Sequence, residues 1–580
     1  MLTIAKRSSC LLGKKLPNLK AQSNCLGLHT TGVNYKTSPT RSGNSIPETP
    51  PANEPVLDYQ DPNSKHRLEL ERCLKEFQSS VQDVPIVIGG KEHRTGNIKY
   101  QTLPFEHEKK LAQFYYADHD LIVKSINSAL DAQTSWRHVP IEDKIALLDK
   151  AANLVSGKYR AQLNAATMLG QAKTIKEAEP DSASELADFF RFNAHYMRLL
   201  LNQWQPSSPY EHESNSLNFR SLDGFVAAIS PFNFTAIGGN LASSPTLLGN
   251  GVVWKPSDTA VLSNYLTMKV FQEAGFPDGV INFVPSEGLD FGRVITGSHK
   301  LAGINFTGSV ATFRWLWSEV GINIKNYGTY PRLVGECGGK NYHFIHKSAH
   351  VETVIVQTIR SAFGYGGQKC SACSRLYVPE SLWPTIRDQM VSIAKEKLKI
   401  GPATDYSVFL SSVIDANAFK RIKNYIDYAN ARPDEFKLLC GGGTNNQVGH
   451  YVEPTIFQTT NPRSRLMLEE IFGPILTVYV YSDNDADKAL ELADDNPMAL
   501  TGSVFAQDEQ FIQHAVQKLK MSAGNLYIND KSTGAFVGQQ PFGGARLSGT
   551  NDKAGAPHYL MRWCNLQTVK RTKRNLTELV

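Results

Sequence analysis

Residues 225–254 read FVAAISPFNFTAIGGNLASSPTLLGNGVVW and predict the unit from which the fold is built. The short apolar run from Phe225 to Ser230 is typical of a buried strand. The small and apolar residues that follow can form a helix to Leu248, and Gly251 to Trp254 predict the next strand. This order indicates a parallel βαβ unit, and such units bind ligands at the carboxyl ends of their strands.

The same alternation extends to both sides of this unit. Further helices and strands are predicted over Ser263 to Ala274, Gly279 to Val284, Phe291 to Ile295, the strand that ends within 304–309, and Val310 to Trp317. The rhythm recurs after Glu336 in 351–363, 376–398 and 475–493, while 119–203 has a largely helical pattern. A chain of 580 residues is too long for one core, so the pattern predicts two α/β domains with the chemistry between them.

Charge and cysteine content exclude several classes of protein. The net charge is +6, but residues 1–47 alone carry seven Lys and Arg and no acid, so the remainder is close to neutral and gives no nucleic-acid signal. A basic, serine-rich, acid-free beginning predicts a mitochondrial transit peptide, with a disordered basic tail as the alternative. Residues 42–62, rich in Pro, Ser and Asn, predict a linker.

Neither a membrane span nor a metal site is expected. The uncharged stretch from Gly224 to Trp254 is long enough to span a membrane, but its prolines, glycines and polar residues favour strands and a helix. The eight scattered cysteines indicate free thiols. Cys370 and Cys373 form a CxxC, but no second close pair and no HExxH motif accompany it.

The segment Phe363-Gly-Tyr-Gly-Gly-Gln-Lys-Cys-Ser-Ala-Cys-Ser-Arg375 presents Cys370 in a glycine-rich turn beside the cation of Lys369. A thiol attacks only as its thiolate and therefore needs positive potential, backbone donors and access. Upstream, Leu333-Val-Gly-Glu-Cys-Gly-Gly-Lys-Asn341 places Glu336 among glycines. The pair suggests chemistry through a covalent intermediate, although a buried thiol and a solvated loop acid are the ordinary alternatives.

Together these segments resemble the aldehyde dehydrogenase superfamily. The resemblance implies an α/β fold of two α/β domains, one cofactor-binding and one catalytic, with a β-arm for oligomerisation. It implies that Cys370 is the nucleophile and Glu336 the general base that activates water against a thioester. Asn233, with the Cys370 backbone N–H, would stabilise the oxyanion. Cys373 does not align with the nucleophile and is predicted to be structural.

A dinucleotide cofactor is implied by the resemblance and not by a phosphate-binding fingerprint, because no GxGxxG follows a strand. NAD is expected, with Lys255 on the adenosine ribose and Ser309 at a helix N-terminus facing the pyrophosphate. Glu470 and Phe472 would hold the nicotinamide riboside. The full set of expected contacts is Ser230, Lys255, Gly308, Ser309, Val310, Ala311, Thr312, Glu470 and Phe472.

The loop from Asn529 to Ala535 and the segment from Gly538 to Asn551 resemble the members of the superfamily that oxidise glutamate 5-semialdehyde. The expected substrate contacts are Phe234, Lys369, Ser371, Gly534, Ala535 and Phe542. The backbone N–H groups of Gly534 and Ala535 would form a nest for the substrate carboxylate. The alternatives are a dehydrogenase for another semialdehyde such as that of succinate, a catalytically silent binding relative, and a thiol-redox protein that uses Cys370 and Cys373.

The resemblance also divides the chain and predicts a homodimer or higher homo-oligomer in the mitochondrial matrix. The strand near Asn215 to Arg220 and the last thirty residues, with Val569 and Lys570, are expected to pair in the arm. The predicted regions are a transit peptide and tail (1–47), an N-terminal linker and arm (48–118), an NAD-binding domain with an oligomerisation strand near 208–222 (119–331), a catalytic domain (332–530), and a substrate loop, return segment and oligomerisation tail (531–580).

Overall fold

The architecture is that of two seven-stranded sheets, each covered by helices, with smaller sheets at the periphery. The computed structural model describes residues 49–203 and 205–579, so the predicted transit peptide lies outside the described residues. Within those ranges, every helix is too short or too polar to cross a membrane.

The strands differ in length from two to ten residues. In chain order they are β1 Gln82–Val84, β2 Ile86–Ile88, β3 Lys91–His93, β4 Ile98–Leu103, β5 Glu106–Tyr115, β6 Glu213–Arg220, β7 Phe225–Ile229, β8 Val252–Lys255, β9 Ile281–Phe283, β10 Leu301–Thr307, β11 Arg332–Glu336, β12 Asn341–Ile345, β13 Cys373–Pro379, β14 Phe436–Cys440, β15 Thr444–Asn445, β16 Tyr451–Val452, β17 Thr455–Thr459, β18 Ile475–Tyr481, β19 Met498–Ala499, β20 Thr501–Phe505, β21 Asn525–Ile528, β22 Ala545–Arg546 and β23 Asn565–Thr572.

The α-helices lie mainly between strands of the two large sheets. A π-helical turn, Pro180–Ser184, joins two of them, α5 and α6, into one rod. In chain order the helices are α1 Lys65–Ser79, α2 His119–Trp136, α3 Ile141–Ser156, α4 Arg160–Gln171, α5 Ile175–Glu179, α6 Glu185–Gln203, α7 Thr235–Leu247, α8 Val261–Ala274, α9 Gly288–Gly297, α10 Val310–Ile322, α11 Val351–Phe363, α12 Trp383–Glu396, α13 Ala416–Asn430, α14 Arg465–Leu468, α15 Ala486–Asp494, α16 Glu509–Lys518 and α17 Pro557–Met561.

The first large sheet has the order β11-β10-β7-β8-β9-β2-β3. Its first five strands are parallel, as the βαβ pattern predicts, and β2 and β3 add an antiparallel edge. Strands β7 and β8 are almost wholly apolar because both faces are covered by helices. Trp254 on β8 packs edge-on against Phe271 of α8 at 6.3 Å between ring centroids, which joins the sheet to its helical layer.

The second large sheet has the order β14-β17-β18-β13-β12-β20-β21, and only β14 runs antiparallel to its neighbour. The predicted strand-helix units of this region are confirmed, and α11 spans the predicted 351–363. Strand β11, which ends at Glu336, pairs with β10 and thus belongs to the first sheet. The predicted domain boundaries remain a prediction.

The predicted pairing of the arm is confirmed. Strand β6 pairs antiparallel with β23 along their full lengths, with Ser216 opposite Val569 and Asn215 opposite Lys570. These strands form a separate two-stranded sheet. Two strands alone bury little surface, so the arm presents free edges that could receive another chain.

The end of the predicted linker is held tightly in the structure. Glu179 receives hydrogen bonds from the Leu57 backbone N–H at 3.0 Å and from the Tyr59 hydroxyl at 2.9 Å. Arg160 on α4 ion-pairs with this carboxylate and with Glu54 at 2.7 Å. Composition predicted a linker here because Pro and Asn are common in both loops and fixed extended segments, and only the tertiary contacts separate the two.

Replacement of Arg160 tests the strength of this network. Arg160→Leu would leave the buried Glu179 carboxylate without its cation and would remove one of the two cations that pair with Glu54. We therefore expect the free energy of unfolding to fall by about 3–5 kcal/mol. Lys158→Ala is the matched control, because Lys158 pairs with Glu273 while remaining 60% exposed, and it should cost less than about 1 kcal/mol. Urea unfolding measures both changes. Equal losses of unfolding free energy would show that the Arg160 network stabilises the fold no more than an exposed ion pair does.

Candidate active site

The carboxyl ends of four neighbouring strands bring the predicted cofactor and base residues to one edge of the first sheet. Ser230 follows β7, Lys255 ends β8, Ser309 follows β10 and Glu336 ends β11. The Gly308 backbone N–H donates to the Glu336 carbonyl at 3.1 Å, which ties the loop after β10 to the predicted base. Consecutive parallel strands therefore place these residues side by side, as expected for this sheet topology.

The predicted nucleophile, Cys370, lies before the amino end of a strand, in the turn that precedes β13. Tyr365 and Gly366 have left-handed backbone, with φ of 51° and 60°. A Cβ on Gly367, whose φ is 65°, would stand 2.3 Å from the Gly473 carbonyl oxygen, so the turn requires glycine there. The Asn341 side chain donates to the Cys370 carbonyl at 2.6 Å and fixes the end of the turn.

The predicted oxyanion donor reaches this turn from the first sheet. The Asn233 amide is buried and donates to the Gln368 carbonyl at 3.1 Å, two residues before Cys370. Gln368 is itself fixed, since its amide oxygen accepts the Ile414 N–H at 2.9 Å. The amide nitrogen carries two protons, so Asn233 can hold the turn with one and offer the other to a reacting oxygen.

Cys370 rests as a neutral thiol. Burial by the surrounding atoms raises its pKa to about 12, and the carboxylates of Glu336 and Glu470 act in the same direction. The backbone N–H groups of Cys370 and Ser371 partly oppose this rise. The thiol remains partly accessible, whereas Cys373 is fully buried and its Sγ lies 3.4 Å from the Arg375 carbonyl.

Lys369 was expected to provide positive potential for the Cys370 thiol, but in the structure its charge is paired with two carboxylates. Its ammonium ion-pairs with Glu177 and with Asp181 at 3.1 Å, and it lies 5.6 Å from the centroid of the Phe234 ring. Adjacent residues of a tight turn project in different directions, and two carboxylates hold this cation on the other side. The assignment of Lys369 as a substrate contact stays a prediction.

Glu336 has the properties of a general base. Its Oε2 accepts the Gly544 N–H at 3.3 Å, while Oε1 is buried and has no hydrogen-bond partner among the described residues. Burial raises the pKa of this carboxyl well above its ordinary value, and the nearby Lys553 ammonium lowers it in part. A carboxylate with an unpaired oxygen and a raised pKa accepts a proton more readily than an ordinary carboxylate.

The residues expected to hold NAD fit a nucleotide. Ser309 caps α10 by accepting the Thr312 N–H at 3.1 Å, and the first turn of that helix is exposed, so its N–H groups can meet a phosphate. The partly buried Lys255 ammonium donates to the Pro256 carbonyl at 3.2 Å and lies 3.9 Å from Asp258, which leaves donor capacity for a ribose hydroxyl.

The remaining predicted cofactor residues lie on the side of the nucleophile turn, with one exception. Glu470 Oε1 accepts the Gly339 N–H at 2.9 Å, and Phe472, with φ of 55°, packs edge-on against Phe232 at 5.9 Å. The Ser230 hydroxyl accepts the Trp254 indole N–H at 2.5 Å, so its side chain is turned toward the core. Its role in cofactor binding therefore stays a prediction.

The predicted substrate loop is attached to the residue after the nucleophile. The Ser371 hydroxyl is 2.7 Å from that of Thr533, and the Ser532 hydroxyl donates to the Ser371 carbonyl at 3.1 Å. Gly534 has a φ of 85°, and a Cβ added there would lie 2.7 Å from the Lys531 ammonium. The predicted nest for a carboxylate thus has a cation beside it, which the sequence analysis did not identify.

A buried cluster of charges beside Phe234 was also missed. Lys173 is fully buried, donates to Asp181 at 2.5 Å and lies 4.1 Å from the Phe234 ring centroid. Burial opposes the charge on Asp181, but Lys173 and Lys369 hold its pKa below its ordinary value. Burial raises the pKa of Glu185 to about 8, and its Oε2 has no hydrogen-bond partner among the described residues.

A signal for this cluster is present in the sequence. Four titratable residues follow one another at intervals of four, at positions 173, 177, 181 and 185. Residues spaced by four share one face of a helix, so the pattern predicts a charged stripe. Such a stripe normally faces water, and the burial of this one depends on the packing of the α5–α6 rod against other elements.

Comparison with known proteins agrees with this geometry. The model of the aldehyde dehydrogenase family matches residues 94–569. The chain therefore belongs to the aldehyde dehydrogenase family, and the predicted fold class is confirmed.

Two curated relatives and one solved structure illustrate the similarity. The mitochondrial delta-1-pyrroline-5-carboxylate dehydrogenase of Danio rerio is 51% identical over 91% of this chain and 94% of its own length. The human protein of the same name is 51% identical over 90% and 93%, respectively. The crystal structure of Delta-pyrroline-5-carboxylate dehydrogenase from Mycobacterium tuberculosis bound with NAD has a TM-score of 0.88 at 42% identity, and the match covers 93% of this chain and 99% of that one.

The pH dependence of turnover should report the field of Lys553 on Glu336. The Lys553 ammonium lowers the pKa of Glu336, so Lys553→Met should raise it. Hydrolysis needs the ionised base, and the acidic limb of the pH–kcat profile should move upward by about one unit. Lys553→Arg keeps the charge and is the control. An unmoved limb in Lys553→Met would mean that the limb belongs to another group.

Proposed function

We propose that this protein oxidises L-glutamate 5-semialdehyde, which is in equilibrium with 1-pyrroline-5-carboxylate, to L-glutamate with NAD. This is the second step of proline degradation to glutamate. One structural observation carries the proposal: the turn that presents Cys370 is hydrogen-bonded through Ser371 to the predicted carboxylate-binding loop. Relatives about half identical over nine tenths of the chain carry the name of an enzyme with this activity.

In the proposed reaction Cys370 attacks the aldehyde carbon to form a thiohemiacetal. The Asn233 amide and the Cys370 backbone N–H stabilise the developing oxyanion. NAD, when bound, supplies the acceptor for the hydride. Because the resting thiol is neutral, attack requires loss of its proton, and the ionised Glu336 is the base whose field already acts on that thiol. Loss of hydride from the thiohemiacetal carbon leaves a thioester. Glu336, once it has released the thiol proton to solvent, activates the water that hydrolyses this thioester.

The cofactor would be held by residues at the strand ends of the first sheet and by the segment between α14 and β18. Lys255 contacts the adenosine ribose, the first turn of α10 after Ser309 receives the pyrophosphate, and Glu470 and Phe472 hold the nicotinamide riboside. The exposed N–H groups at the start of α10 and the partly unsatisfied Lys255 support this assignment.

The charged end of the substrate meets a matching set of groups. Its carboxylate binds the backbone N–H groups of Gly534 and Ala535 beside the Lys531 ammonium. A substrate ammonium beside Glu185 would lower the pKa of that carboxyl from about 8, and the unpaired oxygen of Glu185 could then accept the ammonium. Phe234 and Phe542 flank the aliphatic middle of the substrate, as the resemblance implies.

Steady-state assays of reduced-cofactor absorbance test this function directly. Glutamate 5-semialdehyde, succinate semialdehyde and a neutral aldehyde are compared with NAD and with NADP. Cys370→Ala should lower kcat by at least about a thousandfold while NAD binding persists, because the thiol acts only in the chemistry. Cys373→Ala is the matched control and should keep most activity. A preference for succinate semialdehyde, or equal losses in both variants, would refute the proposal.

We also propose that the protein acts in the mitochondrial matrix. Two supports are independent of each other: residues 1–47 combine seven cations with no acid, and the relatives from fish and human are named as mitochondrial. The transit peptide is removed there, and 119–331 and 332–530 form the NAD-binding and catalytic domains.

An exposed apolar face near the end of α10 supports a homo-oligomer. Trp317, Ile322 and Ile324 are each at least 42% exposed, and Tyr330 beside them is 84% exposed. Contiguous apolar surface of this kind normally marks an interface. We assign the face to a second copy of this chain, with the β6–β23 arm as a second contact whose free edges remain open.

Light scattering of the purified protein tests the assignment. Ile322→Asp buries a charge if the face is covered by a second copy, so the mass should shift toward the monomer while the melting temperature of the fold changes little. Val448→Asp is the control, since Val448 is similarly exposed, at 61%, but lies elsewhere. An unchanged mass in Ile322→Asp would exclude this face.

A further inference from the structure

The predicted substrate loop is fixed on both sides of its tip, and the second attachment comes from the other end of the chain. On the nucleophile side, Ser532 and Thr533 bond to Ser371. The tip, 534–536, is largely exposed. On the far side, Val537 is buried, and the side chain of Asn53 holds the backbone at that point.

Asn53 uses its whole amide group to join the loop to helix α6. Its Nδ2 donates to the Val537 carbonyl at 2.9 Å and to Asp188 at 2.8 Å. Its Oδ1 accepts from the Gln539 side chain at 2.7 Å. Both amide protons and the carbonyl oxygen are therefore engaged, and two of the three bonds end on the loop.

The segment that carries Asn53 is itself rigid. The Glu54 backbone N–H donates to Asp188 at 2.6 Å, and the Glu54 carboxylate ion-pairs with Arg160 at 2.7 Å and with Arg191 at 2.5 Å. These partners belong to α4 and α6. Because this segment is fixed to α4 and α6, the position of the Asn53 amide is set by these helices and not by the loop.

The contact between loop and helix is close beyond Asn53. Gly538 has a φ of 82°, and a Cβ placed there would stand 2.1 Å from Phe192 of α6. The same helix begins with Glu185, whose unpaired oxygen is the proposed acceptor for the substrate ammonium. Asn53 thus joins the proposed carboxylate site on the loop to the helix that carries the proposed ammonium site.

We propose that Asn53 is a positioning residue for substrate recognition, which sets the distance between the loop tip at Gly534 and Ala535 and helix α6. This inference rests on the proposed function of the loop. It assigns to the N-terminal segment a role in specificity for an aldehyde that carries a carboxylate and an ammonium. A neutral aldehyde needs neither group and should be indifferent to Asn53.

Steady-state kinetics of the full-length protein with two aldehydes tests the role. Asn53→Ala removes all three hydrogen bonds, so the KM for glutamate 5-semialdehyde should rise about tenfold while kcat changes less than about twofold. The KM for pentanal, which has the same chain length without the charged end, should be unchanged. Gln539→Ala removes one exposed-side bond and should show the same selective effect in weaker form.

Controls separate this role from mere stabilisation and from failure of the proposed function. Gln60 is an exposed residue of the same segment, so Gln60→Ala should have the wild-type KM and kcat with both aldehydes. Equal losses for both aldehydes in Asn53→Ala and Gln539→Ala would overturn the inference and indicate a purely structural role. The absence of any loss in both variants would also overturn it. If Asn53→Ala does not fold, Gln539→Ala alone decides between these outcomes. Wild-type protein that does not oxidise the semialdehyde would instead refute the proposed function.

Discussion

The burial of an incompletely paired carboxylate at the end of β11 is the constraint on which the site depends. Glu336 keeps one oxygen without a partner, and burial opposes its charge. Such a group is costly to maintain, so the surrounding structure must hold it in place. The Gly308–Glu336 backbone bond, the Gly544 N–H and the Lys553 ammonium do this from three different segments.

The same constraint explains the state of the nucleophile. Burial, with the added effect of two carboxylates, holds the pKa of Cys370 high, so the thiol is unreactive until a base takes its proton. Sequence reasoning gave Lys369 the task of activating the thiol, because a lysine adjacent in sequence is the nearest visible cation. Its capture by Glu177 and Asp181 could not be read from sequence, since these carboxylates lie almost two hundred residues earlier.

The fold was predictable where local pattern and tertiary burial agree. The buried strands of the first sheet are continuous apolar runs, and α11 has an amphipathic pattern that matches its span. Motif resemblance proposed Cys370, Glu336 and Asn233, and the fold brings their segments together around one turn. The π-helical turn at 180–184 was not indicated by any local pattern in the sequence. It includes Asp181, a buried member of the series of charged residues spaced by four.

Contacts between distant parts of the chain account for what sequence reasoning could not supply. Asn53 and Val537 are 484 positions apart, and nothing in the composition around either residue indicates the other. A Pro- and Asn-rich stretch has the composition of a flexible linker, yet its backbone and side-chain donors become structural once carboxylates of α5 and α6 accept them. The contacts of residues 54–59 with α4, α5 and α6 therefore make this segment part of the folded structure, although its composition is that of a linker.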